Sequence, residues 1–474
     1  MKKIFITAIS FVLLASCMSD EKYEGYNEDP KNPTQVEASF LFNSATVSLF
    51  DQMQSTSVNV NVFRLLAQNW TETTYIDEVN YDLTGRTIPQ YHWSELFRDV
   101  LLDLKTAKEY TEADIDLSEA DRATQVAQIE ILEVYTWQQL VDTFGDIPYT
   151  QALDASGYPL PVYDDASTIY GDLLTRLNSA LPNLTGTGFS LDNIYNGNVS
   201  AWSKFGNSLK LRIGSRIVDA PGMAATAQTA IESAVTAGVF TSNADNATIA
   251  YTATSPNTNP LWEDLVESNR SDFVPANTIV DIMNDLDDPR RSVFFDDNLG
   301  EGVYKGGTYG ASNGYATNSH IGDDMFDPTF RGVLLDYSEI SFFLADAAQR
   351  GFAVGDTAEN FYDTAITANF NDWGVDGVEA YLANPDVAYD ASNWRTSIGT
   401  QMWLAMYNRG FESWTAWRTY DAPEFNLPEF SGNPVPTRYT YPVNEQNLNE
   451  TNWSAASAAI GGDSQTTKLF WDVN

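Results

Sequence analysis

The sequence predicts a mostly α-helical protein with few short strands. Apolar residues recur at helical spacing in many separate segments along the 474 residues. Strand signals are confined to Thr248–Tyr251, Thr437–Tyr441 and Leu469–Trp471. Strands and helices do not alternate, which argues against a doubly wound sheet.

The elements follow in order. Ala38–Met53 carries apolar residues at helical spacing, and His92–Tyr110 places Leu96, Val100 and Leu104 on one stripe. Ser118-Glu119-Ala120-Asp121 reads as a capping box opening a helix to about Phe144, with Val126, Ile129, Leu132 and Leu140 on its apolar face. Further helices are expected at Ala166–Leu181, Val199–Asp219, Gly222–Ala237, Ala276–Leu286, Tyr337–Arg350, Glu359–Phe370 and Trp394–Tyr407. Gly145, Pro182, Gly351 and Gly410 punctuate them. Long irregular stretches separate them: Thr71–Tyr91, Asp142–Tyr163, Leu184–Asn198, Ala244–Pro275, Asp287–Leu334 and Tyr420–Tyr441. Loops of this length inside a folded protein are usually functional. Helix pairs in series suggest a tetratricopeptide-type solenoid, although no repeat of fixed period is found. Nothing resembles an interdomain linker, so residues 37–474 read as one domain.

Composition narrows the function. Hydrophobic residues are 43%, aromatics 13% and charged residues 19%, which is globular with an aromatic surplus. Asp+Glu outnumber Lys+Arg 65 to 26, for a formal charge of −39, which excludes nucleic acid as the main partner. Two His and one Cys remove most zinc sites, Cys–His pairs and His-based triads.

The N-terminus reads as an address. Lys2 and Lys3 precede an apolar run, Ile4 to Ala15, too short to span a bilayer comfortably. The run ends in Leu14-Ala15-Ser16-Cys17, which resembles the lipobox of bacterial lipoproteins, with 1–16 as signal peptide and Cys17 as the acylated residue. The chain's one Cys stands where the motif needs it. A lipid, rather than a helix, would then anchor the protein. Asp20 and Glu21 just after it resemble the surface-export signal of Bacteroidetes lipoproteins, and 17–36 reads as a polar tether.

Several blocks carry a resemblance. Asp142-Thr-Phe-Gly145-Asp146-Ile-Pro148-Tyr149-Thr-Gln-Ala152 resembles the "D-x-[FY]-G-D-x-P-Y-x-x-A" block of the SusD/RagB family. Trp202 to Arg212 resembles that family's helix before its middle region, and Asp288-Pro289-Arg290 its "DPR" turn. Glu339-Ile-Ser-Phe-Phe-Leu344-Ala345-Asp346-Ala347 is similar to "E-x-x-F-L-x-A-E-A". Gln401-Met-Trp403-Leu404-Ala405 and Gly410-Phe-Glu412-Ser-Trp414-Thr-Ala-Trp417-Arg418 resemble "Q-K-W-x-A" and "G-x-E-A-W-x-x-W-R-R". Pro436 to Glu445 and Lys468 to Asp472 resemble the closing blocks. Met402, Thr437 and Asp346 depart from the usual Lys, Arg and Glu. The blocks run in family order over nearly the whole chain after Cys17. The resemblance implies tetratricopeptide-like helix pairs supporting a loop-rich ligand-binding half. It implies a non-enzymatic outer-membrane lipoprotein that binds glycans, sometimes peptides, and sits as a lid on a SusC-like TonB-dependent transporter. The blocks themselves read as framework. Trp403, Trp414 and Trp417 are expected in the core or facing the transporter, Glu412 and Arg418 as an ion pair, and Arg290 bridging carbonyls or carboxylates.

A sugar site needs aromatic platforms ringed by hydrogen-bonding side chains. Two loops combine them: Asn69–Trp93, with Trp70, Tyr75, Tyr81, Arg86 and Trp93, and Gly300–His320, with Tyr304, Tyr309, Asn313 and Tyr315. Trp262 lies in a third. These are the candidate ligand-binding residues, and no catalytic residue is assigned. Aromatic loops also suit a peptide. A carboxylate-based glycoside hydrolase is the alternative of another class, but no G-x-S-x-G, H-E-x-x-H or Walker A pattern occurs. No cofactor is expected. The acidic surface leaves structural Ca²⁺ open, but Asp372 to Glu379 lacks the last acidic residue of an EF-hand and reads as a capped helix start.

Overall fold

The structure, a computed structural model, describes residues 36–474. The signal at 1–16, Cys17 and the tether up to residue 35 lie outside the described residues. From Ala38 onward the chain is one compact unit, mostly helical as predicted.

Consecutive helices pack in pairs. α1 (Ala38–Gln54) lies against α2 (Leu102–Ala113), which continues a helical run through Ile88–Ser94 and the π-helical Glu95–Leu101. α3 (Glu119–Phe144) starts at the predicted box, where the Ser118 hydroxyl accepts the Asp121 N–H at 3.1 Å, and it packs on α4 (Ala166–Ala180). α5 (Val199–Arg216) and α6 (Ala224–Ala237) approach closely at Gly214, where a Cβ would stand 2.9 Å from Ile231. After α7 (Asn277–Asp285), α8 (Tyr337–Gln349) pairs with α9 (Ala358–Asp372), and α10 (Trp394–Ala405) with α11 (Gly410–Tyr420). The core runs between the pairs and encloses Trp70, Trp202, Trp403 and Trp414 completely.

The strands are short. β1 (Trp70–Glu72) pairs antiparallel with β3 (Phe273–Pro275), Trp70 opposite Pro275 and Glu72 opposite Phe273. β2 (Ala247–Ile249) pairs antiparallel with β4 (Gly332–Leu335). Two expected strands are corrected. Thr437–Tyr441 is irregular: the Thr437 and Arg438 amides both donate to the Gln465 carbonyl, and that of Tyr439 to Thr143. Leu469–Trp471 ends in a turn whose Trp471 indole donates to Asp142 at 2.8 Å. Their aromatic and β-branched residues serve burial rather than a ladder. Glu450–Ala459 forms a helix without the apolar stripe that would announce it, since Ala456 is its one buried residue.

The motif blocks meet in one buried polar network. Arg212 donates to Glu412 at 2.9 Å and stands 3.6 Å from Glu339, all three buried. Arg216 stands 3.3 Å from Asp142 and 3.5 Å from Glu412. Arg409 contacts Glu339 and lies 2.9 Å from Asp336. The expected Glu412–Arg418 pair is not formed. Arg418 instead donates to the carbonyls of Asp142 and Thr437 and covers the Trp414 ring at 3.5 Å. Arg290 binds the Asp288 carboxylate together with Asn369 and Gln401. Trp403 and Trp414 are core residues, while Trp417 is half-buried and stacks on Phe425 at 4.7 Å. The network explains why these residue types occur there: a buried charge needs a partner and full hydrogen bonding.

Candidate functional site

Three loops are locked together where β1 leaves the sheet. Past Glu72 the chain still pairs, the Thr73 N–H donating to the Asp272 carbonyl at 2.8 Å. The Gly300–His320 loop docks on this edge through Asn313, whose N–H donates to the Thr73 carbonyl and whose side-chain amide donates to that of Glu72, both at 3.0 Å. The loop after α11 joins at Asn80. Asn80 donates to the Gly310 carbonyl at 3.0 Å and accepts the Ser431 N–H at 3.0 Å. Gly310 has φ +76°, and a Cβ there would lie 2.5 Å from Pro428. The result is an irregular but cross-braced surface.

On this surface Tyr75 is 66% exposed. Its backbone is left-handed, φ 57°, a conformation that costs an aromatic residue free energy and is held only where the surroundings impose it. Tyr75 overlooks an open cleft of about 160 Å³ lined by Asn59, Glu72, Thr74, Arg86, Asp264, Ser268, Arg270 and Asp272. The Arg270 guanidinium sits 5.8 Å from the Tyr75 ring centroid and donates to Asp272. Arg86 pairs with the fully buried Glu78. Asp264 accepts from the Thr56 N–H at 3.2 Å, yet burial pushes its pKa up to about 6.

On the cleft wall, the buried Glu72 carboxylate accepts the Val79 N–H at 3.2 Å and has the Glu78 carboxylate as a neighbour. Burial first, and then the neighbouring Glu78 charge, push Glu72 up to about 10, so it keeps its proton at neutral pH. An unfolded glutamate releases that proton near pH 4.5, so folding stability falls as pH rises from about 4.5 to about 10. Glu72→Gln is neutral at every pH and removes this slope. Its melting temperature should gain on wild type steadily from pH 5 to pH 9 in thermal scans, and a constant offset would refute the buried proton.

The structure separates the sequence-selected residues. Tyr75 and Arg86 share the cleft. Tyr315 stands nearby, stacked on His320 at 3.9 Å with its hydroxyl toward Ser271. Asn313 staples loops. Tyr304, half-buried under Arg291, faces a different acidic hollow with Asp296, Asp297 and Asp323. Trp262 is half-buried at the start of the helix that carries Asp264. The reading of Trp70, Tyr81, Trp93 and Tyr309 as platforms is corrected: all four are buried. Trp70 donates to the Tyr407 hydroxyl at 2.9 Å and Tyr309 to the Leu65 carbonyl at 2.7 Å. Their rings anchor the loops from below, where no ligand face is free.

Arg270, Asp264 and Asp272 are absent from the sequence-based selection, because nothing local in Ala244–Pro275 says that β3 brings them to Tyr75. Phe430 (81% exposed) and Leu427 are also absent, and lie on the loop tied to Asn80. An aromatic between Pro428 and Gly432 is the signal that could have found Phe430. Among the described residues, no group of three or more His, Cys, Asp or Glu could hold a metal ion. Asp372 is ion-paired with Arg331, and the helix Val378–Leu382 begins behind Gly377.

Residues 30–442 match a SusD-like family model described as starch-binding associating with outer membrane. A search of curated proteins finds no match. Solved structures resemble the chain over most of its length. A chitin-binding protein is 24% identical with a TM-score of 0.80, covering 92% of this chain and 100% of its own. A chitin-binding SusD homologue from Flavobacterium johnsoniae is 24% identical, TM-score 0.78, covering 91% and 99%. A SusD homologue from Bacteroides ovatus is 25% identical, TM-score 0.78, covering 92% and 99%.

Proposed function

Since the chain belongs to the SusD-like family, described as starch-binding and associated with the outer membrane, we propose that it captures a glycan at the cell surface. It then delivers that nutrient to a SusC-like TonB-dependent transporter, over which it acts as a lid. The observation that carries the reading is Tyr75: an exposed aromatic in a strained conformation, mounted on braced loops beside hydrogen-bonding side chains. A pyranose ring would stack its C–H face on Tyr75, with Arg86, Arg270 and Asn59 addressing its hydroxyls. The two chitin-binding structural relatives support a glycan over a peptide. Attachment is through the lipid on Cys17. No helix among the described residues is long and apolar enough to cross a membrane.

The protein is proposed as a binder rather than a hydrolase. A retaining glycosidase holds its carboxylates about 5–5.5 Å apart and an inverting one further. Of the carboxylates lining the Tyr75 cleft, Asp272 is instead paired with Arg270, Asp264 accepts the Thr56 N–H, and Glu72 is buried and accepts the Val79 N–H. The test is calorimetry of the chain from residue 18 onward against a panel of polysaccharides and peptides, with reducing-end analysis of the same samples. Saturable glycan binding without sugar release is the expected result. Sugar release would overturn the reading in favour of a hydrolase, and binding to peptides alone would shift the ligand class. In cells, oligosaccharide uptake should depend on the chain and fail with Tyr75→Ala.

A further inference from the structure

We infer that the Tyr75 cleft selects uncharged glycans and rejects uronic-acid and sulfated ones, because it offers free N–H donors but no unmatched positive charge. This rests on the glycan-capture reading and adds its substrate class.

Both cations of the cleft are already matched. The Arg270 guanidinium is 54% exposed, yet its Nε lies 2.5 Å from Asp272. Arg86 is one-third exposed, and its Nε contacts the buried Glu78 carboxylate. Asp264 adds a further carboxylate to the lining with no cation bonded to it. Lys305, on the docked Gly300–His320 loop, is not part of the cleft lining, and its ammonium donates to the Thr317 carbonyl. An arginine has five N–H donors, so each cleft guanidinium keeps donors for a hydroxyl or amide carbonyl of a neutral sugar. A ligand carboxylate or sulfate meets a different balance. It must approach Arg270 beside Asp272 and Asp264, and it does so against the field of a chain carrying a formal charge of −39. Like charges brought together without a compensating cation disfavour the wrong ligand.

Asp272 is the residue that decides this. Its carbonyl holds the loop through the Thr73 N–H, while its carboxylate serves Arg270. Asp272→Asn therefore keeps the backbone contact and frees one guanidinium charge at the platform.

The experiment is native affinity electrophoresis of the full chain in detergent. Neutral laminarin, xylan and soluble chitin oligosaccharides are set against polygalacturonate, alginate and chondroitin sulfate. Low ionic strength, about 20 mM, leaves charge effects unscreened. Wild type should be retarded by at least one neutral glycan and at least about tenfold less by every anionic one. Asp272→Asn should narrow that gap several-fold, and added salt should narrow it for wild type. Retardation by an anionic polymer equal to that by the best neutral one would overturn the inference and leave glycan capture standing. A gap unchanged in Asp272→Asn would place the selection in the bulk charge and overturn the assignment to the cleft. Retardation by no glycan at all would overturn the capture reading, and this inference with it.

Discussion

Arg212→Met should destabilise the protein by about 3–5 kcal/mol in denaturant unfolding, the usual cost of leaving buried charges without their partner. Arg212 is fully buried and faces two carboxylates, Glu412 at 2.9 Å and Glu339 at 3.6 Å. Burial raises the pKa of Glu339, and only its arginines oppose that rise. Methionine would keep the stem's packing but leave two buried carboxylates one cation short, Glu339 with Arg409 alone and Glu412 with the more distant Arg216. Glu412 also serves Arg216, and Arg216 serves Asp142, so the loss would spread through blocks far apart in sequence. Coupling follows from that arrangement. Arg212→Met combined with Glu412→Gln should cost clearly less than the sum of the two single changes, since each removes the other's unpaired charge. A single-variant loss below about 1 kcal/mol, or strict additivity, would show that the network contributes little.

Trp70→Ala and Tyr75→Ala should part company, although only five positions separate them. Trp70 is wholly enclosed, bonded to Tyr407 and covered by the Arg64 guanidinium at 5.3 Å. Its truncation leaves a large cavity and should cost about 3–5 kcal/mol of stability. Tyr75 is exposed, so Tyr75→Ala should shift stability by no more than about 0.5 kcal/mol. It should weaken glycan binding roughly tenfold to thirtyfold, the loss of one stacking platform worth about 1.5–2 kcal/mol. Calorimetry paired with thermal melts reads both effects. Equal loss of affinity in Trp70→Ala at a temperature where it remains folded would return Trp70 to the site. Undiminished binding by Tyr75→Ala would remove the proposed platform.

The helices were legible because burial of one face leaves a periodic trace in the chain, as at Leu96, Val100 and Leu104, and because Ser118 and Asp121 sign a helix start locally. Two of the short strands were not. β1 and β3 are three residues each, and they owe their existence to pairing across some two hundred positions. The candidate site was half legible. Tyr75 and Arg86 belong to an aromatic, polar loop that reads as a sugar surface. The same composition also selected Trp70, Tyr81, Trp93 and Tyr309, because aromatic residues both stack on ligands and anchor loops.

By itself, then, the sequence determined the family, the helical class and the strong acidity, since each is written in local pattern or in composition. The tertiary structure alone decided which aromatic faces solvent and which arginine is already matched. Exposure and ion pairing are properties of contacts between distant residues. Tyr75 faces solvent just past the end of β1 on β3, and Arg270 lacks a free charge because the same pairing sets Asp272 beside it.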